Sequence, residues 1–102
     1  MVENANLNSS IELSGFRDID SSSMLVINKN ISNHMKRVSE LARKIDKLHI
    51  TLKTIHEREK SEKYEIHAKI IDNGKIYVSK VTDRNLFVAI DSALQKIINE
   101  MD

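Results

Sequence analysis

The sequence contains no cysteine, only two glycines, and no apolar run near the roughly 18 consecutive residues that a membrane span needs. Without cysteine there is no disulfide framework, no thiolate metal site and no cysteine nucleophile. Two glycines are too few for a phosphate-binding loop, because such loops need several to bring backbone N–H groups against the phosphate. We therefore expect a cytoplasmic protein, outside any membrane, that is stabilised by packing alone.

Neither sign of charge is in clear excess. The chain has 16 Lys and Arg against 15 Asp and Glu, so its formal net charge is +1 with neutral histidines. Nucleic-acid binding would therefore require cations gathered on one face. The 102 residues, 40% of them apolar, are enough for one small core. We expect a flexible polar tail over residues 1–10 and a single domain over residues 11–102.

The first half of the chain has the apolar spacing of a strand followed by a long helix. Residues 11–14 alternate between apolar and polar, which predicts a short strand ending at Gly15. Apolar residues then recur at steps of three and four from Met24 to Ile45, which predicts an amphipathic helix from about Ser22 to Lys44. Aspartate or serine at positions 20–22 can cap its start.

The second half predicts three more strands and a final helix. Residues 48–55 alternate as in a half-buried strand, and Asn73-Gly74 predicts a two-residue hairpin turn between the next two strands. Asn85 can cap a last helix with one apolar stripe. The order β-α-β-β-β-α predicts an α+β two-layer sandwich, with a four-stranded, mostly antiparallel sheet and both helices on one face.

No pattern typical of catalysis occurs in the sequence. No serine lies in a GxSxG nucleophile elbow, and the carboxylates lie in polar, solvated segments rather than in a segment that would bury them. No two of the four histidines have the i, i+4 spacing that helical zinc sites use. We therefore predict a protein that is not an enzyme and has no catalytic residues, metal, cofactor or small-molecule substrate.

The predicted first helix has cations on the side away from its apolar stripe. Five cations form two neighbouring rows on this side: Lys29, Lys36, Arg37, Arg43 and Lys44. Charge on an outer helix face is usual and can simply be solvated. Cations of one sign on one face are also what a phosphate backbone would contact. Because aromatic residues do not accompany them, recognition of the backbone is favoured over base stacking.

Three segments resemble one known family. The strand followed by DRNLFVAIDSALQKI, in which a capping residue precedes Leu-Phe-x-Ala-Ile-Asp and a later Lys, resembles the last-helix region of the ribosome hibernation promoting factors. These are also called ribosome-associated inhibitor or sigma-54 modulation proteins. IDKLHITLK resembles that family's second strand, and ISNHMKRVSEL the back half of its first helix. The resemblance covers about Ile11 to Glu100 and is to the family's short form, or to the corresponding part of a longer member.

The resemblance implies a fold like that of double-stranded RNA-binding domains and a function without catalysis. Family members regulate translation under stress by binding rRNA of the small ribosomal subunit between head and body. They occlude the sites of messenger and transfer RNA there and keep idle ribosomes inactive. For this chain the resemblance therefore implies the small ribosomal subunit as partner.

Six residues are candidates for contacting rRNA. The family's basic first-helix positions fall on His34 and Arg37, and the lysine of its last helix falls on Lys96. Lys36, Arg43 and Lys44 are added by the charge pattern of the first helix alone.

The last helix departs from the family pattern. Asn99 takes a basic position, and Glu100 and Asp102 add negative charge. This weakening motivates an alternative from another class, a non-enzymatic protein-interaction domain that forms homodimers through a sheet edge. In that case the cations would only keep the surface solvated.

Overall fold

Six elements form in the predicted order in a computed structural model, which describes residues 10–58 and 61–102. The strands are β1 (Ile11–Ser14), β2 (Ile45–His56), β3 (Glu62–Asp72) and β4 (Lys75–Asp83), and the helices are α1 (Ser21–Leu41) and α2 (Leu86–Met101). Apart from Ser10, the tail predicted for residues 1–10 lies outside the described residues. No helix among the described residues is long and apolar enough to cross a membrane.

The four strands form one sheet in the order β1-β2-β3-β4. Strand β1 is parallel to β2, as expected where a helix connects the two strands, and the other two pairs are antiparallel. Across the sheet, Leu13 lies opposite Ile50, Ile50 opposite Ala68, and Ala68 opposite Ser79. The predicted α+β fold with a mostly antiparallel sheet is therefore confirmed.

The hydrophobic core lies between the two helices and one face of the sheet. Leu48, Ile50 and Leu52 of β2 are buried while the residues between them are not, since side chains alternate across a strand. Each helix contributes the buried side chains of one stripe, and β3 adds two more. The helix residues are Ile27, Ile31, Met35, Ile90, Leu94 and Ile97, and those of β3 are Ile66 and Ile70. None of the other described elements packs on the opposite face of the sheet.

Side chains cap both helices at their first turns. The carboxylate of Asp20 accepts a hydrogen bond from the Ser23 N–H at 3.0 Å, so Asp20 is the cap among the three candidates at positions 20–22. The Asn85 side chain accepts from the Val88 N–H at 3.1 Å, as the sequence predicted. Each bond satisfies a backbone donor that has no partner within its helix.

Two turns depend on positive backbone φ. Asn73 and Gly74 have φ of 51° and 88°, which is the geometry of a type I′ hairpin turn and confirms that prediction. Gly15 has φ of 85°, and a Cβ placed there would collide with the backbone carbonyl oxygen of Leu52. Glycine at position 15 therefore lets the chain leave β1 close against β2.

Helix α1 ends three residues earlier than predicted. Its last capping bond runs from the Ala42 N–H to the Val38 carbonyl at 2.8 Å, and Ala42 is already extended. The buried carboxylate of Asp72 then accepts the next two backbone N–H groups, from Arg43 at 2.9 Å and Lys44 at 2.8 Å. The predicted extension to Lys44 is wrong because this carboxylate replaces the helical carbonyls as acceptor.

Candidate nucleic-acid interface

The shorter helix divides the predicted cation face. Lys29, Lys36 and Arg37 lie on α1, whereas Arg43 and Lys44 belong to the loop that follows it. The backbones of these two loop residues are held by Asp72, and their side chains are exposed at the start of β2. The five cations therefore do not form the two continuous helical rows that the sequence predicted.

His34 lies between the two helices. Its side chain is 12% exposed, with Nδ1 at 2.9 Å from the Asn30 carbonyl oxygen and Nε2 at 3.0 Å from Asp91 Oδ1. A carbonyl can only accept, so Nδ1 donates, and a second donated bond to Asp91 requires the protonated ring. Both ring nitrogens already have protein partners, which leaves neither of them open to a phosphate.

Arg37 points to the same groove between the helices and is paired with two acids. Its Nη1 lies 3.0 Å from Glu40 Oε1, and its Nη2 lies 3.4 Å from Asp102 Oδ2. Because the Arg37 side chain is 47% exposed, these pairs are solvent-screened and weak. A phosphate would have to compete with both acids for this guanidinium.

The two remaining lysines lie on opposite flanks of the helix layer. Lys36 is two residues from His34, about 200° around α1, and so points away from α2. Lys96 is five residues from Asp91, about 140° around α2, and so points away from α1. Both are exposed. The structure brings His34 and Arg37 together and keeps Lys36 and Lys96 apart.

Acids balance the cations over the helix layer. Four charged residues of each sign lie on the two helices and the α2 C-cap: Lys29, Lys36, Arg37 and Lys96 against Glu40, Asp91, Glu100 and Asp102. Of the six candidates, His34 and Arg37 form ion pairs with acids among the described residues. The other four have no ion pair within that part of the chain: Lys36, Arg43, Lys44 and Lys96. These last four are the candidates open to an anion.

Sequence reasoning missed a second set of cations on the open face of the sheet. We call the strand side chains that point away from the helices the outer face. It carries five lysines and two glutamates: Lys47, Lys53, Lys63, Lys69 and Lys80 with Glu12 and Glu65. The Asn73-Gly74 turn was the available signal, since a two-residue hairpin fixes the pairing of β3 with β4.

Several solved structures share this architecture, and two of them match this chain over most of their length. A ribosomal subunit interface protein from Coxiella burnetii has a TM-score of 0.58 at 14% identity, covering 89% of this chain and 91% of that chain. The Thermus thermophilus Protein Y N-terminal domain has a TM-score of 0.52 at 16% identity, with the same coverage of 89% and 91%. The chain has the fold of the ribosomal subunit interface proteins.

The fold implied by the family resemblance is thus confirmed, because both structures come from the family that the sequence resembles. No protein-family model matches the sequence, and neither does any curated protein. Within the part of this ribosomal-interface fold that the structure describes, no three His, Asp or Glu side chains gather as metal ligands.

Proposed function

We propose that the protein is a hibernation factor that inhibits translation by binding the ribosome. It contacts rRNA of the small subunit between head and body and occludes the sites of messenger and transfer RNA. The observation that carries the proposal is the fold, which overlaps a ribosomal subunit interface protein over 89% of this chain. The local sequence resemblance in α1, β2 and α2 supports it independently. No bond is made or broken in this mechanism.

On the helix side, we propose that rRNA phosphates contact the exposed cations of α1, its following loop and α2. Lys36, Arg43, Lys44 and Lys96 are exposed and can each attract a phosphate oxygen. His34 and Arg37 join them only where a phosphate displaces Asp91 or the acids beside Arg37. The contact on this side therefore rests on about four phosphates.

Co-sedimentation with purified ribosomal subunits tests the proposal. The protein is expected to pellet with small subunits and not with large ones. Neutralising about four phosphates predicts a log-log dependence of affinity on salt with a slope of roughly −3, at 0.7 to 0.9 per charge. Failure to pellet with small subunits at low salt would reject the proposal.

A charge reversal tests the helix side. Lys36→Glu with Arg37→Glu is expected to abolish co-sedimentation and leave the circular dichroism spectrum unchanged, since both side chains are exposed. Arg17→Glu with Arg58→Glu makes the same change in charge at exposed positions outside the helices and is the matched control. If the α1 variant pellets as well as wild type, rRNA does not contact this side.

A second candidate function is homodimerisation through the sheet edge formed by β4. Ile76 and Val78 of this edge strand are 58% and 61% exposed, and unpaired edges can add a strand from a partner. This alternative predicts dimers whose formation depends on concentration and not on moderate salt. Light scattering at two ionic strengths, combined with the sedimentation assay, separates it from ribosome binding.

A further inference from the structure

We propose that the outer face of the sheet is a second RNA-binding surface, which contacts the phosphate backbone. The inference rests on the proposed function, because a protein lodged between the head and body of a subunit meets rRNA on more than one side. It adds a surface opposite the helices, where neither the resemblance nor the cation pattern of α1 placed one. Its basis is the strand register.

The register gathers cations from three strands. Lys80 of β4 lies opposite His67 of β3. Two residues further along β3, Lys69 lies between Val78 of β4 and His49 of β2. Lys53 of β2 lies opposite Glu65 of β3. Diagonal neighbours on one face are about 7 to 8 Å apart, so Lys69 and Lys80 are neighbours across the hairpin. Lys53 lies on the same face, with β3 between it and Lys80.

The acids on the outer face are too few to neutralise its lysines. Lys47 lies 2.6 Å from Glu12, and Lys63 lies 2.9 Å from Glu57 beyond the end of β2. Glu65 is hydrogen-bonded to His67. That leaves Lys53, Lys69 and Lys80 without an ion pair among the described residues, and all three are exposed.

Electrostatics at Glu65 support this arrangement. The pKa of Glu65 is lowered first by its hydrogen bond to His67, and also by the nearby charges of Lys80 and Lys53. One carboxylate therefore lies among two lysines and a histidine from all three strands. These neighbours stabilise negative charge at this position on the outer face.

The charge balance of the outer face differs from that of the two helices. The helices and the α2 C-cap carry four cations and four acids, whereas the outer face carries five lysines and two glutamates. The outer face thus has a net positive charge of its own, and a polyanion would be attracted to it.

The chemistry of the outer face fits a phosphate backbone rather than stacked bases. Tyr64 and Tyr77 lie in register with the core residues of β3 and so point to the helix side. Thr51 and Thr82 instead lie among the outer lysines, where their hydroxyls can donate to phosphate oxygens. Such contacts position RNA without reading its sequence.

A triple neutralisation tests the surface. Lys53→Gln, Lys69→Gln and Lys80→Gln are combined in one variant. Its matched control combines Arg17→Gln, Arg58→Gln and Lys75→Gln, which removes three exposed cations that belong neither to the outer face nor to the helices. A fluorescently labelled 20-base-pair RNA duplex is titrated at several salt concentrations, and small subunits are tested by co-sedimentation. Circular dichroism and thermal unfolding establish that both variants are folded.

The sheet variant is expected to reduce the magnitude of the salt slope for the duplex by about 2, at 0.7 to 0.9 per lost contact, and to weaken pelleting with small subunits. The control is expected to leave both within error of wild type. Equal losses in the two variants would mean that only net charge matters, and an unchanged slope in the sheet variant would mean that the outer face is not used. Either result overturns the inference.

The two assays also separate the inference from the proposed function. If wild type binds the duplex but not small subunits, the proposed ribosomal function is wrong. The salt slopes of duplex binding then decide by themselves whether the outer face binds RNA. If wild type and sheet variant pellet equally with small subunits, the outer face is overturned and the function stands. Binding to neither probe overturns both.

Discussion

The imidazole Nε2 of His34 lies 3.0 Å from the carboxylate of Asp91 and joins the two helices on the side away from the sheet. The same groove holds Arg37, 3.4 Å from Asp102. Side chains that the sequence offered as phosphate ligands thus have a structural use, since they pair α1 with the acids of α2. Under the proposed function, rRNA binding and helix packing compete for the same two side chains.

The His34 and Asp91 pair is expected to be weakly stabilising. Because Asp91 is 59% exposed, a double-mutant cycle with His34→Ala and Asp91→Ala should give a coupling free energy of about 0.2 to 1 kcal/mol. His34→Ala alone should cost more than Asp91→Ala, since the histidine is largely buried and also bonds to Asn30. Urea unfolding measures all four proteins, and a coupling of zero at low salt would contradict the helix-joining role.

Releasing Arg37 from its acids is expected to strengthen ribosome binding. Glu40→Gln with Asp102→Asn leaves the guanidinium open to phosphate and should raise affinity for small subunits about fivefold, which corresponds to about 1 kcal/mol. Asp18→Asn with Glu100→Gln removes the same charge at exposed acids that do not pair with Arg37 in the described structure. An equal gain in this control would show that only net charge changed.

The two glycines are expected to differ in how much they tolerate a side chain. Both have positive φ, so the backbone is strained when alanine replaces either glycine. At Gly74 a Cβ meets open space, so Gly74→Ala should lower the unfolding free energy by about 1 kcal/mol from this strain alone. Gly15→Ala should cost more, because its Cβ also collides with the Leu52 carbonyl oxygen and must displace β2. Chemical denaturation compares the variants, and equal costs would contradict the close approach.

Glu57 is expected to contribute to loss of stability in acid. Its carboxylate lies 2.9 Å from both Lys63 and Arg84, and the hydrogen bond from Lys63 is the largest cause of its lowered pKa. A lowered pKa in the folded state means that this stabilisation is present above the ordinary value of 4.5 and is lost as pH falls through the folded value. Glu57→Gln should therefore flatten the dependence of unfolding free energy on pH below 4.5, while leaving it unchanged near neutrality. A curve parallel to wild type would contradict this.

Local interactions made most of the fold predictable. The hairpin turn follows from Asn73-Gly74, because few residues other than glycine and asparagine adopt positive φ cheaply, and the α2 cap follows from the side chain of Asn85. The apolar periods of both helices likewise predicted their buried stripes. None of these features depends on a residue far away in the chain.

The candidate site was less predictable, because it depends on contacts between distant elements. Asp72 lies 28 residues beyond Lys44 in the chain. No local pattern near the end of α1 predicts the two hydrogen bonds to Asp72 that end the helix. The acids that pair with His34 and Arg37 likewise come largely from α2. The sequence of α1 alone shows which cations share one face of that helix. It does not show that acids of α2 pair with them.

The sequence by itself determined the six elements, their order, the hairpin turn and which residues form the core, because periodicity, capping and backbone φ act within a few residues. Only the tertiary structure decided where α1 ends, which cations are paired and which lysines share the outer face of the sheet. These outcomes depend on strand register and on the packing of α1 against α2, which place residues together that the chain keeps far apart.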